Sequence, residues 1–313
     1  MMAVTASPRV GVIGSGVIGR SWMAVFARAG CTTTAFDAET GQLTRAMQWL
    51  QALRTPEWEQ VQPCASLAQL VDGVEYIQEC GPEQLELKQR LFADLDRVAP
   101  HSAILASSTS AYDMSDIARQ LRHPGRCIVA HPTNPPHVIP VVEVLGGDQT
   151  SPETIARTCG LLAAVGQTPV TLKKHAHGFV LNRLQFALVR EAVHLLKAGV
   201  ADVEAIDTVV REGLGLRWAL LGPFGVADTN NDQGVRGYFG GHETWITDLM
   251  NQLGPTPTLE PELTELIGQA LDRARGTVPR ADVRDWRDRM VLAIRRLKAS
   301  HPVGQRQREG QLP

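Results

Sequence analysis

A histidine and a glutamate flank a proline-rich loop in "CIVAHPTNPPHVIPVVEV", residues 127 to 144. The apolar run Ile128-Val129-Ala130 delivers His131 into a loop stiffened by Pro132, Pro135 and Pro136, and the next apolar run carries Glu143 in its middle. Fixed proline φ angles hold an imidazole in place, as a general base requires. A carboxylate bonded to one ring nitrogen fixes the tautomer and leaves the other nitrogen basic. It also raises an imidazole's proton affinity, which suits removal of an alcohol proton near neutral pH. Spacing alone fits an ordinary hydrogen-bonded histidine beside a strand-edge glutamate equally well.

A second constellation lies near the start of the chain. Gly14-Ser15-Gly16-Val17-Ile18-Gly19 is a G-x-G-x-x-G that follows an apolar strand and opens a helix. The first glycine makes a tight turn, the second lets a pyrophosphate approach the backbone, and the third lets helix and strand pack closely. Asp37 closes the next strand, about 20 residues on, where a carboxylate accepts from an adenosine ribose 2′-hydroxyl and repels a 2′-phosphate. The spacing predicts a dinucleotide site that prefers NAD to NADP.

The elements that position these groups alternate. Strands are predicted at Val10 to Ile13, "TTTAFD", "VEYIQEC", "AILASS", "RCIVAHP", "VVEVL" and "TPVTLKK". Helices fall at "RSWMAVFARAG", "LTRAMQWLQAL", "PEQLELKQRLFADLDRV" and "SPETIARTCGLLAAVG", with a linker around Pro56 and Pro63. Alternation implies an α/β fold with a doubly wound, mostly parallel sheet. His131 then sits at the carboxyl end of a strand, where such sheets gather ligands. From about Gly178 long helical patterns take over, so residues 1–177 read as a nucleotide-binding domain and 178–313 as an all-helical one, with the site in the cleft between. The polar tail "GQRQREGQLP" reads as frayed.

Composition excludes several classes. The 313 residues are 43% hydrophobic and 20% charged, with a net charge of −2, so no basic footprint for nucleic acid or anionic membrane exists. No apolar run approaches a membrane span, and "MMAVTASPRV" lacks a signal-peptide core. Cys31, Cys64, Cys80, Cys127 and Cys159 are scattered without a Cys-x-x-Cys pair, as in a reduced, cytoplasmic protein without structural zinc. His175 and His177 have no third ligand in view, and no metal site is expected.

Taken together, "VGVIGSGVIGRSW", "YIQECGPEQLELKQRLFADLD", "LASSTSA", "VAHPTNPPHVIPVVEV" and "GFVLNRLQ" resemble the 3-hydroxyacyl-CoA dehydrogenase superfamily, with a Rossmann domain and a helical domain. "EGLGLRWALLGP" and "WRDRMVLAIRRLKAS" point to its lambda-crystallin or L-gulonate 3-dehydrogenase branch. The resemblance covers nearly the whole chain. Family members carry a longer helical excursion before "VEYIQEC" than the "RTPEWEQVQPCASLAQLVDG" found here, a difference in a surface element.

The resemblance implies that His131 is the general acid/base and Glu143 its orienting partner. It implies that Ser110 and Asn182 hydrogen-bond the substrate's reacting oxygen, that Asn134 lies near the nicotinamide, and that Glu83 and Lys88 line the cofactor's ribose. Ser110 as a helix N-cap and Asn182 as an ordinary helix-start residue are the plain alternatives. Arg217 follows a glycine-containing turn where acyl-CoA-specific relatives lack an arginine. A guanidinium there can hold a carboxylate bidentately, which suits a small free 3-hydroxy acid such as L-gulonate; an ion pair across a dimer contact is its rival. A short-chain L-3-hydroxyacyl-CoA dehydrogenase is the next reading. A carnitine dehydrogenase, caging a quaternary ammonium with Trp218, Phe224 and Trp245, is third: such enzymes tend to carry aspartate where Asn182 stands, and aromatics so placed are more often core. A non-catalytic, crystallin-like NAD-binding protein is the reading from a different class. A homodimer is expected by analogy with relatives.

Overall fold

The structure is a computed structural model describing residues 8–53 and 56–301. Most of the N-terminal stretch and the polar tail lie outside those residues. The chain divides into two units, one ending at Arg183 and the other beginning at Leu184.

The first unit is built on an eight-stranded sheet in the order β3-β2-β1-β4-β5-β6-β7-β8. Its strands are β1 (Arg9–Ile13), β2 (Thr32–Phe36), β3 (Val61–Pro63), β4 (Tyr76–Glu79), β5 (Ile104–Ser107), β6 (Cys127–Pro132), β7 (Val141–Gly146) and β8 (Thr168–Thr171). Between them run α1 (Val17–Arg28), α2 (Thr40–Ala52), α3 (Leu67–Leu70), α4 (Leu85–Val98), α5 (Met114–Ile117) and α6 (Pro152–Ala164). The central strands β1, β5 and β6 read as near-continuous apolar runs because both of their faces are covered. Alternate residues feed two cores: Val10, Val12, Tyr76, Ile104, Ala106, Ile128 and Ala130 pack with Trp22 and Phe26 of α1. Ile13, Ile77, Leu105, Cys127 and Val129 pack with Phe92 and Leu95 of α4. That is the period of two expected of a strand.

Every neighbouring pair is parallel except β6 and β7, which are antiparallel. The segment from Thr133 to Pro140 is too short for the crossover of about a dozen residues that parallel pairing needs. The chain therefore folds straight back. β3 is a correction to the sequence reading, which took its residues as linker. It is three residues long and lies at the sheet edge, where Pro63 costs no central ladder bond.

The second unit is helical. α7 (Leu181–Lys197) begins in the first unit and runs on into the second, followed by α8 (Val203–Thr208), a π-helical segment (Val209–Leu214) and α9 (Gly215–Trp218). Then come α10 (Pro223–Thr229), α11 (Gly234–Gln252), α12 (Pro261–Arg275) and α13 (Arg280–Ser300). "EGLG" is thus not the turn its glycines suggest: the chain stays helical through Arg217, widened by π-type bonding. No helix among the described residues is long and apolar enough to cross a membrane.

Candidate active site

At the carboxyl end of β1, Gly14 takes φ +85°, and a Cβ there would lie 2.7 Å from the Cys80 carbonyl oxygen. A Cβ on Gly19 would run into the Gly14 carbonyl oxygen. The loop therefore needs glycine at both ends, and Gly14 N–H bonds the Phe36 carbonyl at 2.9 Å to tie it to β2. Gly16 is the N-cap of α1; no side chain caps the helix, and no acidic residue stands in its first turn. The leading N–H groups at Val17 and Ile18 are left for an anion, so the cradle fits a pyrophosphate.

Asp37 follows β2 directly. Its Oδ2 accepts from Ser15 N and Ser15 Oγ, both at 2.6 Å, and its Oδ1 from Glu39 N at 2.8 Å. A carboxylate offers about four acceptor sites, so capacity for a ribose hydroxyl remains. Beside it opens a cavity of about 700 Å³ lined by Phe36, Asp37, Leu43, Met47, Pro63 and Cys64. Apolar walls with one acid at the rim suit a nucleoside base. Its far wall comes from β3, so sequence reasoning, having missed that strand, missed Pro63 and Cys64 here.

His131 and Glu143 are direct cross-strand partners in the β6–β7 register. Glu143 Oε2 meets His131 Nδ1 at 2.9 Å, with both side chains buried. Glu143 Oε1 accepts from Val180 N at 2.9 Å and Leu181 N at 3.0 Å, the residue before α7 and the first of the helix. Burial pushes the Glu143 carboxyl up, but the His131 bond and the Leu181 and Val180 N–H groups outweigh it and hold the carboxyl below its ordinary value. The carboxylate can only accept, so an imidazole carrying one ring proton places it on Nδ1 and keeps its lone pair on Nε2. Among the described residues nothing bonds that nitrogen. Phe179 supports the ring: buried, with a left-handed φ of +49°, it packs 5.2 Å from His131 and 5.8 Å from His175 between ring centroids. Nothing in the sequence pattern signals that wedge.

Asn182 is the second residue of α7, so the acid that aims His131 also anchors the helix turn carrying Asn182. Ser110 is not a helix N-cap: that place belongs to Asp113, whose side chain accepts from Ser115 N. The Ser110 and Asn182 side chains make no hydrogen bond among the described residues. Glu83 is partly exposed at 41%, while Lys88 is buried beneath it, 2.9 Å from Glu79 and 3.4 Å from Glu83. Asn134 is exposed in the loop after β6, preceding a cis proline peptide.

The NAD-binding domain of 3-hydroxyacyl-CoA dehydrogenases, as a family model, matches residues 9–175, and the C-terminal domain of the same enzymes matches residues 178–251. The chain belongs to the 3-hydroxyacyl-CoA dehydrogenase family. It is an NAD-dependent dehydrogenase acting on a CH–OH group. This family member is 36% identical to a lambda-crystallin homolog of Rattus norvegicus, over 95% of this chain and 98% of the relative. It is 35% identical to an L-carnitine dehydrogenase of Streptomyces griseus, over 85% of this chain and 79% of that one. Among solved structures it is similar to 5-formyl-3-hydroxy-2-methylpyridine 4-carboxylic acid 5-dehydrogenase, described as an NAD+ dependent dismutase. That match has a TM-score of 0.80 and 26% identity, covering 95% of this chain and 100% of that one.

On the second unit of this dehydrogenase, Arg217 is exposed on α9 and pairs with no acid among the described residues. Trp218, Phe224 and Trp245 are exposed by 40%, 74% and 62%, against the expectation that such aromatics are core. His175 Nε2 meets the Ala111 carbonyl at 3.2 Å. Among the described residues no group of three or more His, Cys, Asp or Glu side chains could hold a metal ion.

Proposed function

We propose that this dehydrogenase oxidises a small free 3-hydroxy acid, of the L-gulonate kind, to the 3-keto acid. The observation that carries the chemistry is the buried His131–Glu143 pair, with Nε2 and the Ser110 and Asn182 side chains of the same unit unengaged among the described residues. NAD, when bound, would supply the hydride acceptor. Gly14, Gly16, Val17, Ile18 and Gly19 would hold its pyrophosphate and Asp37 its adenosine ribose, with Glu83 and Asn134 toward the nicotinamide half. His131 Nε2 takes the hydroxyl proton, and Glu143 stabilises the resulting imidazolium. Ser110 and Asn182 hold the substrate oxygen as neutral groups able to serve hydroxyl and carbonyl alike. Arg217, exposed and without an acidic partner among the described residues, is the carboxylate clamp.

A second reading, L-carnitine, is favoured by the exposed Trp218, Phe224 and Trp245 and by the carnitine dehydrogenase relatives. Carnitine also carries a carboxylate for Arg217, and aromatic faces attract its quaternary ammonium. A purely structural role would leave the Ser110, His131, Glu143 and Asn182 set without use. The first unit is proposed as the NAD-binding domain and the second as the substrate and dimerisation domain. α11, α12 and α13 bury no residue, and Trp245, Trp286 and Leu297 stand exposed on them. A second copy of the chain covering those faces supplies the core they lack. The unpaired cysteines fit the cytoplasm.

His131→Ala tests the reaction. Turnover is expected to fall about 10²–10⁴-fold with NAD affinity unchanged, as for loss of a general base. Wild-type turnover in the variant removes His131 from the chemistry.

A further inference from the structure

We propose that Glu83 is a positioning residue: it holds the loop that presents the Ser110 hydroxyl, and it is itself held by the buried Lys88–Glu79 pair. The proposal rests on the reading that Ser110 bonds the substrate's reacting oxygen.

Three donors from one short loop converge on Glu83 Oε1. They are Thr109 Oγ1 at 2.5 Å, Ser110 N at 2.9 Å and Ala111 N at 3.0 Å. Three donors fill what a single carboxylate oxygen can accept. A cofactor hydroxyl is left Oε2, and that oxygen already faces Lys88 Nζ at 3.4 Å. The ribose role implied by the family resemblance is therefore the lesser use of this side chain.

Behind it, Lys88 Nζ lies 2.9 and 3.0 Å from the two oxygens of Glu79. Lys88 is 2% exposed and Glu79 1%. Glu79 in turn accepts from Ser107 Oγ at 2.5 Å and Gly81 N at 2.6 Å. The loop after β5 is thus bracketed at both ends. Glu79 grips Ser107, Glu83 grips residues 109 to 111, and one ammonium joins the two acids. On the other side His175 Nε2 meets the Ala111 carbonyl.

Burying an ammonium between two carboxylates is a poor way to gain stability, because desolvation offsets the attraction. What it supplies is fixed geometry. Among the described residues the Ser110 hydroxyl makes no bond of its own, so its position is set by its backbone. That backbone is what Glu83 holds. A misplacement of about 1 Å at a reacting centre costs on the order of 10²-fold in rate.

The test compares Glu83→Gln, Ser110→Ala and the double variant. It uses the most active of L-gulonate, L-3-hydroxybutyrate, L-carnitine and L-3-hydroxybutyryl-CoA as substrate. NADH binding is followed by fluorescence, and amide exchange of residues 107–112 by mass spectrometry. Glu83→Gln is expected to lower kcat about 10²-fold, to leave the NADH Kd within about twofold, and to speed exchange at Ser110 and Ala111. In the Ser110→Ala background the same change is expected to cost little more, because both act through one hydroxyl. Thr109→Val, which keeps both acids but removes the hydroxyl that donates to Glu83 and accepts from the Ala111 and Tyr112 N–H groups, loosens the same loop and gives the same pattern at about tenfold or more. A Kd raised about tenfold with kcat retained makes Glu83 a ribose ligand and overturns the proposal. Additive losses or unchanged exchange overturn it as well. If Ser110→Ala leaves turnover intact, the reading of Ser110 fails, while exchange and the Kd still decide whether Glu83 holds the loop.

Discussion

Replacing Glu143 by glutamine changes one atom type at the centre of the site, and the hydrogen bonds around it dictate the consequence. Glu143 accepts three of them, one from His131 Nδ1 and two from the Val180 and Leu181 N–H groups. Glutamine has one acceptor and one donor end. If its oxygen stays with the two N–H groups, its NH₂ faces His131 Nδ1. That nitrogen must then accept, the ring proton moves to Nε2, and the base is lost. If the amide flips, its NH₂ confronts two part-buried N–H donors, and the start of α7, with Asn182, is pushed away. Either orientation lowers kcat, by about 10²–10⁴-fold for a lost general base. Three bonds to a charged group become neutral or unmade, at roughly 1 kcal/mol each. Relief from burying an anion offsets part of that, leaving a destabilisation of about 2 kcal/mol. Steady-state rates at saturating substrate read the first effect and a thermal midpoint the second. Turnover within about tenfold of wild type would refute the tautomer argument, because nothing else in the site restores a lone pair to Nε2.

Two substitutions elsewhere in the first unit test other parts of the same geometry. Asp37→Ser removes the carboxylate that repels a 2′-phosphate; the NADP-to-NAD ratio of kcat/KM is expected to rise about tenfold or more, and an unchanged ratio would clear Asp37 of the selectivity role. Burial pushes the Asp96 carboxyl up, but Arg126 at 3.0 Å and the Arg122 and His123 N–H groups hold it below its usual value. Its folded value being depressed, it contributes stability above the unfolded carboxylate range near pH ~4 and loses it as the pH falls through the folded value. Asp96→Asn is thus expected to cost about 3 kcal/mol at neutral pH and to flatten the acid limb of a denaturation series; a neutral-pH loss with an unaltered acid limb would contradict the linkage.

How much of this was legible in the chain varies with the physics. The glycine loop and Asp37 are local: turn, strand and helix come from adjacent residues, so their spacing carries the geometry. The central strands β1, β5 and β6 are equally plain, because burial on both faces writes them as apolar runs. β3 escaped because three residues ending in proline carry no periodicity. The His131–Glu143 pairing was foreseen as a possibility, whereas their direct opposition depends on an antiparallel register. Glu143's second grip, on the N–H groups at the start of α7, links residues far apart in sequence and has no local signature. Glu79 closes a strand that already carries Gln78, so nothing in its sequence context set it apart as Glu143 was set apart by an apolar run. In "EGLGLRW" two glycines suggested a turn, but tertiary context kept the segment helical.

The substrate assignment is the central claim, and Arg217 carries it. Initial rates of NAD reduction with L-gulonate, L-3-hydroxybutyrate, L-carnitine and L-3-hydroxybutyryl-CoA, on wild type and Arg217→Met, test it directly. A free hydroxy acid is predicted to be fastest, with the substitution raising its KM by about 10-fold to 10²-fold, as expected for a lost bidentate pair, and hardly touching the CoA ester. A CoA ester that wins, with the Arg217→Met enzyme unchanged, would contradict the clamp and make the acyl-CoA reading the correct one.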